Sequence, residues 1–240
     1  MSLGPVILLP PSQGKRAGSR AGGRDEFAAA LREPRGVVRA AARATSADLS
    51  EWARVIGARG PLLARYGGGV ADGPTAPAWW RYDGVVWRHL DPATLDDAAR
   101  GRILVPSALY GVTTSRDAIV DYRLTFSGSL DGVGRLDAFW RPLLAETVSA
   151  WCGRRTVVDL LALEQRRALD LTSSDVSVLI VEFLAPDGRR AAGHAAKAVK
   201  GVVARSLVTD GLTGIEDFRW RGWRARRSSD GVEIRAPRAG

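Results

Sequence analysis

The chain has 240 residues, 45% of them apolar and 25% charged, ordinary globular values that leave room for one large domain or two small ones. Its 35 Lys and Arg against 26 Asp and Glu leave a formal charge of +9 and a pI near 10.6, and most of those cations are Arg. The single cysteine, Cys152, excludes an intramolecular disulfide and a Cys-based zinc cage, and no apolar run approaches the length of a membrane span. The basic surplus fits a polyanionic partner, nucleic acid or a phosphorylated ligand. Heavy Arg usage beside high Ala and Gly fits genomic base composition equally. His89 and His194 leave no metal-ligand cluster short of a purely carboxylate site, so no metal or cofactor is expected. The start, MSLGPVILLPPS, has no basic region before its apolar stretch and reads as a strand rather than a signal peptide, which makes a cytoplasmic protein the expectation.

In chain order, residues 6–9 form an aliphatic run halted by Pro10-Pro11 and predict a buried strand feeding a loop. That loop, residues 10–24, carries Lys15, Arg16, Arg20 and Arg24 among small residues, which suits anion contact or a solvated basic loop. It lacks the residue order of a phosphate-binding P-loop. Asp25 caps a helix expected over 26–32, Pro34 opens a second, and Ser46 opens a third that Gly57 ends. With Pro61 starting the next helix, residues 46–66 read as helix, hairpin and helix. Such a turn, at Gly57, Arg59 and Gly60, can offer free backbone N–H groups to a DNA phosphate; a plain helical hairpin has the same spacing.

Residues 67–77 are a Gly/Pro connector, after which Trp79, Trp80, Tyr82 and Trp87 gather around Asp83-Gly84 in an aromatic-rich turn. Core packing is the simpler use of those rings, a base-stacking platform the other. A helix over 95–102, begun by Thr94 or Asp96, precedes a strand at 103–106. An amphipathic helix is expected over 136–151, a β-run over 156–160 and a short helix over 161–169. Residues 176–184 read as the clearest buried strand of the chain, and Asp187-Gly188 turns into a partner near 190–192. The next helix, over 193–208, places Lys197, Lys200 and, less closely, Arg205 on part of one face, with Val199, Val202, Val203 and Leu207 inward. The end reads as a hairpin around Ser229-Asp230-Gly231, its arginines interleaved with Trp220 and Trp223. That alternation fits nucleic-acid contact and also a charge-protected sheet edge.

The most informative stretch is 106–126. It leaves an apolar run (Ile103, Leu104, Val105), turns through Gly111 and Thr113-Thr114-Ser115, and closes with Asp117, Tyr122 and Arg123. A buried strand delivering polar groups through an irregular turn is a common way to build a site; a strand–turn–strand with a satisfied Asp–Arg pair is the plainer reading.

Taken together, Leu8-Leu9-Pro10-Pro11-Ser12-Gln13-Gly14-Lys15, Ser107-Ala108-Leu109-Tyr110-Gly111-Val112, Asp117, Tyr122-Arg123-Leu124, Phe139-Trp140, His194-Ala195-Ala196-Lys197 and Lys200-Gly201-Val202-Val203-Ala204-Arg205 resemble the YaaA family of peroxide-stress proteins over nearly the whole chain. The resemblance implies a single α/β domain of mixed α+β character over 1–240, with a mixed central sheet, a helix–hairpin–helix near 46–66 and a positively charged cleft. Members are associated with binding duplex DNA and with limiting oxidative DNA damage by lowering free intracellular iron. Carried over, the cleft would be lined by Ser12, Lys15, Arg123, Lys197, Lys200 and Arg205.

This chain departs from the family pattern at Gln13, where an acidic residue is usual, at Thr114-Ser115, where Arg-Pro is usual, and at Asp121, commonly a proline. Ala162 and Gln165 stand where the family usually carries a Ser and a Tyr. Two functional readings follow. In the first, the protein binds double-stranded DNA through its phosphates in the setting of peroxide stress. In the second, the cleft is that of an enzyme acting on an anionic or activated metabolite, with Lys15, Asp117, Tyr122 and Lys197 as candidate catalytic groups and Arg123 as an anion clamp. A non-catalytic interaction protein has no distinguishing mark in the sequence.

Overall fold

The aliphatic run at the start becomes β1 (Val6–Leu8), every residue of which is buried, and Pro10 stops it as the sequence predicts. The computed structural model describes residues 4–66, 72–229 and 231–237. After β1 come helices α1 (Ala28–Thr45), α2 (Leu49–Ile56) and α3 (Pro61–Tyr66), then strand β2 (Ala76–Pro77) and helices α4 (Ala78–Arg81), α5 (Val85–Leu90) and α6 (Asp97–Gly101). Strands β3 (Ile103–Ser107), β4 (Gly111–Thr114), β5 (Ala118–Ile119), β6 (Ser129–Leu130) and β7 (Gly134–Arg135) lead into α7 (Leu136–Cys152). The chain closes with β8 (Val157–Asp159), α8 (Leu163–Leu169), β9 (Val178–Leu184), α9 (Gly193–Asp210), α10 (Thr213–Glu216), β10 (Arg219–Trp220), β11 (Trp223–Ser228) and β12 (Gly231–Arg235).

The main sheet has the order β10-β11-β12-β9-β8-β1-β3-β4. Its centre is parallel: β1 lies between β3 (Ile7 opposite Ile103) and β8 (Ile7 opposite Val158), and β9 lies between β8 and β12. Both edges are antiparallel, β3 with β4 on one side and the β10–β12 meander on the other. This is the mixed α/β architecture expected. β2 and β5 form a separate small ribbon, as do β6 and β7. Among the described residues no helix is long and apolar enough to cross a membrane.

Several local expectations change. Pro34 does not start a helix; it sits inside α1. The helix runs through it because Leu31, Arg35, Val38 and Ala42 keep one face in the core, and that anchoring outweighs the missing N–H. Ser46 closes α1 instead of opening α2, whose cap is Asp48, a carboxylate that accepts from the N–H groups of Ser50 and Glu51. The Trp79–Trp87 region is two short helices, α4 and α5, joined at Asp83-Gly84. β9 is less buried than its composition implies, with Val178, Leu179 and Ile180 half-exposed. Of the connector, residues 67–71 lie outside the described residues, as does Asp230 in the final turn.

Two arginines are used as internal staples. Arg81 is 0% exposed, and its guanidinium donates to the carbonyls of Arg16, Gly18, Pro74 and Ile119. Arg35 donates to the carbonyls of Tyr110 and Val112 and pairs with Asp25. Helix α9 crosses α5 closely at Gly201, where an added Cβ would lie 2.2 Å from the Val86 carbonyl oxygen and 2.7 Å from His89 Cβ. Gly201→Ala should therefore push α9 off α5 and cost about 1–3 kcal/mol, read as a lowered Tm in thermal denaturation. An unchanged Tm would mean that the two helices do not need this approach.

Candidate functional site

The prolines that end β1 send residues 10–15 across the top of the parallel strands, the side on which open α/β sheets place their ligands. They form one wall of a hollow of about 530 Å³, within the range of small-molecule pockets. α5 contributes Val86 and Trp87, the segment after β5 contributes Tyr122 to Phe126, α8 contributes Glu164 and Gln165, and α9 contributes Lys197 and Lys200.

Lys15 is the pocket's most constrained cation. It is 7% exposed, its Nζ donates to the Ser12 carbonyl at 2.8 Å, and it lies over the Tyr122 ring at 4.3 Å and the Tyr82 ring at 5.4 Å. Its own carbonyl accepts from Arg65, which is paired with Asp121 at 2.6 Å. Burial pulls the Lys15 amine down to about 7; Asp121 opposes the shift, while Arg123, Arg65 and Arg81 add to it. Lys200 is held by the Leu160 carbonyl at 2.5 Å and lies over Phe183. Burial brings its amine down to about 8, with Asp159 opposing. Lys197 stands exposed at the pocket wall.

Tyr122 is fully enclosed, its hydroxyl 2.6 Å from Ser107 Oγ and 3.3 Å from the Tyr82 hydroxyl. Burial pushes it up to about 12 against those two hydrogen bonds, so it keeps its proton at neutral pH. Arg123 donates to the Ile56 carbonyl and to Gln13 Oε1, which ties the end of α2 to the pocket rim. A second hollow of about 550 Å³ continues past this point, sharing Gln13, Arg123 and Thr125 with the first and reaching Arg54 and Gly57. Gly57 ends α2 in the left-handed region at φ 59°. It is exposed, as are Arg59 and Gly60. Two helices joined by a short turn are therefore present where the sequence placed a hairpin.

Ser12, Lys15, Arg123, Lys197 and Lys200 thus meet at one pocket. Arg205 does not join them. Its guanidinium donates to the carbonyls of Leu90 and Asp91 and to Thr94 Oγ1, pinning the end of α5 to α9. Asp117 is also elsewhere: its buried carboxylate accepts from Thr114 N, Thr114 Oγ1 and Glu26 N. Burial raises its carboxyl against those hydrogen bonds, and the group holds a turn. Thr114 and Ser115 are buried in that same turn, away from the pocket, whereas Gln13, Ala162 and Gln165 do line it. Asp121 is paired with Arg65, and its charge opposes the lowering of the Lys15 amine.

Sequence reasoning missed Glu164, the pocket's carboxylate, whose Oε1 accepts from Ser127 N. It also missed Leu124 and Phe126 as apolar wall. Period-two burial through 122–126 could have signalled the last two; a single glutamate on a short helix carries no signal. Gln165 Oε1 is buried and has no hydrogen-bond partner among the described residues, in a side chain that lines the pocket.

Comparison with known proteins bears on the same residues. The family model described as "Peroxide stress protein YaaA" matches residues 6–228. A UPF0246 protein of Streptomyces coelicolor is 31% identical over 223 residues, covering 86% of this chain and 84% of the relative. One from Ruegeria sp. is 29% identical over 230 residues, 89% and 90% of the two chains, and one from Corynebacterium glutamicum 30% over 216 residues, 85% and 84%. A match that begins in β1 and runs through β11 takes in every wall of the pocket, and on that match the chain belongs to the YaaA family of peroxide-stress proteins.

Proposed function

We propose that the protein takes a small anionic or activated metabolite into the Lys15 pocket and acts on it as an enzyme. One observation carries this reading: a buried lysine amine, free of any ion pair among the described residues, opens on a hollow of metabolite size that also holds Arg123, Lys197 and Lys200. Arg123 and the two helix lysines suit the anionic end of a ligand. Val86, Trp87, Leu124 and Phe126 suit an apolar body, and Gln165 Oε1 suits a donor on it. Lys15 is the group able to exchange a proton near pH 7 or to act as a nucleophile. Calorimetry with inorganic pyrophosphate tests the anion subsite. Arg123→Ala should weaken binding about 10- to 100-fold, the loss expected for a charged hydrogen-bonding partner. No binding of pyrophosphate or of any small organic anion by the wild type would sink the reading.

DNA contact is the second reading, favoured by the exposed Gly57, Arg59 and Gly60 turn beside the second hollow. A fluorescence-anisotropy salt series on a short duplex separates the two. If the turn binds phosphates, Arg59→Ala lowers duplex affinity and flattens the salt slope by about one while pyrophosphate binding is untouched.

A further inference from the structure

Of the chain's 35 basic residues, 32 are Arg and three are Lys. Arginine fills the structural roles: the staples at Arg35 and Arg81, the pin at Arg205 and the surface ion pairs. Four basic residues line the 530 Å³ pocket, and three of them are Lys15, Lys197 and Lys200, every lysine in the chain. A guanidinium serves wherever only positive charge is needed, but it does not lose its proton in a protein. An amine does, and it is then a nucleophile. In this chain, then, lysine stands only where amine chemistry is available, and arginine stands everywhere else.

Within the pocket, Lys15 is set apart from the other two. Among the described residues no carboxylate touches it: Asp121, the acid that acts on it most strongly, is held by Arg65, and its Nζ donates to the Ser12 carbonyl. Two tyrosine faces enclose it, and Tyr122 and Tyr82 stay protonated beside it. Lys200 is instead pinned to the Leu160 carbonyl next to Asp159, and Lys197 is exposed, positions suited to holding an anion.

We propose that Lys15 forms an imine with the carbonyl carbon of an anionic aldehyde or α-keto acid, the carboxylate or phosphate of which is held by Arg123, Lys197 and Lys200. The proposal rests on the anion-pocket reading above and adds its substrate class. In the step, the lone pair of the neutral amine forms an N–C bond to the carbonyl carbon while the C=O π pair moves to oxygen. Both amine hydrogens leave with that oxygen as water, and a C=N bond remains, with no change in oxidation state. An imine polarises the adjacent carbon, so bond-making or proton removal there is the chemistry such a site supports.

Pyridoxal 5′-phosphate followed by sodium borohydride is the test probe, since it carries an aldehyde and a phosphate and its reduced adducts map to individual lysines by peptide mass spectrometry. Lys15 should be the modified lysine. Its labelling rate should rise about tenfold from pH 6 to pH 8 and only about 1.1-fold from pH 8 to pH 9, whereas an ordinary lysine amine continues to gain about tenfold per pH unit. Burial sets this midpoint first; of the charges facing the amine, Asp121 opposes the shift, and Arg123, Arg65 and Arg81 add to it. Adducts at Lys197 or Lys200 with Lys15 unmodified would overturn the imine. Calorimetry with pyrophosphate, run alongside, separates the two claims. If pyrophosphate binds and Lys15 stays unmodified, the imine fails and the anion pocket stands. If Lys15 is modified but pyrophosphate neither binds nor slows the labelling, the imine stands and the anion pocket fails. If pyrophosphate does not bind and Lys15 is unmodified, both fall.

Discussion

Arg81→Met is expected to lower the stability of the folded protein by about 3–5 kcal/mol, measured by urea denaturation, with faster hydrogen exchange across residues 16–20. Among the described residues the side chain has no carboxylate partner at hydrogen-bonding distance. It is surrounded instead by carbonyl oxygens from the N-terminal loop (Arg16, Gly18), the segment before β2 (Pro74) and β5 (Ile119). Methionine follows the apolar stem of the side chain but leaves those acceptors without their donor in a buried place, at about 1–3 kcal/mol for each one that water cannot reach. The loop it staples carries Lys15, so pyrophosphate binding should weaken together with stability. A loss below about 1 kcal/mol would show that the loop is held by other contacts.

Lys15→Met should move stability the opposite way. The amine sits at about 7 in the folded chain against 10.5 for an ordinary lysine. Below pH 7 it is protonated in both states, and the cost of burying the charge is fully present. Between about pH 7 and 10.5 the unfolded chain binds the extra proton, so stability rises with pH, and above 10.5 the gain is complete. A shift of this size corresponds to roughly 3–5 kcal/mol. The methionine variant should therefore be more stable than the wild type at pH 6–7, and the two should converge as pH rises toward 10. Urea titrations at pH 6, 7.5 and 9 decide it. If the difference between the two proteins is the same at all three, Lys15 is not held in a charge-disfavouring site.

The long elements were legible because their signals are redundant. The apolar stripe of α7 and the inward valines of α9 recur over several turns, β1 is an unbroken aliphatic run, and β3 opens on one (Ile103, Leu104, Val105). Elements of four to six residues, such as α4 and α5, give no period to read, and tertiary packing alone decides that the Trp79–Trp87 region is helical. Pro34 misleads for a related reason, since local propensity points to a helix start while a buried Arg35 and Val38 hold the helix through it. The cleft was half legible. Lys15, Arg123, Lys197 and Lys200 converge as the motifs implied, but spacing on a helix could not tell that Arg205 faces α5, nor that Asp117 and Thr114 satisfy each other in a turn. Both were judged by residue type, and the partner that each one meets lies outside the reach of a linear pattern.

The position of β1 has a consequence for the order in which the protein is made. Its three residues are synthesised well before either partner, since one neighbour in the sheet begins at Ile103 and the other at Val157. A growing chain therefore holds β1 with both edges open until β3 has appeared and with one edge open until β8 has appeared, and it closes large loops before those contacts form. The centre of the sheet is then complete only once β8 has been made, and a chain truncated before β8 leaves β1 with one bare edge, open to pairing between molecules.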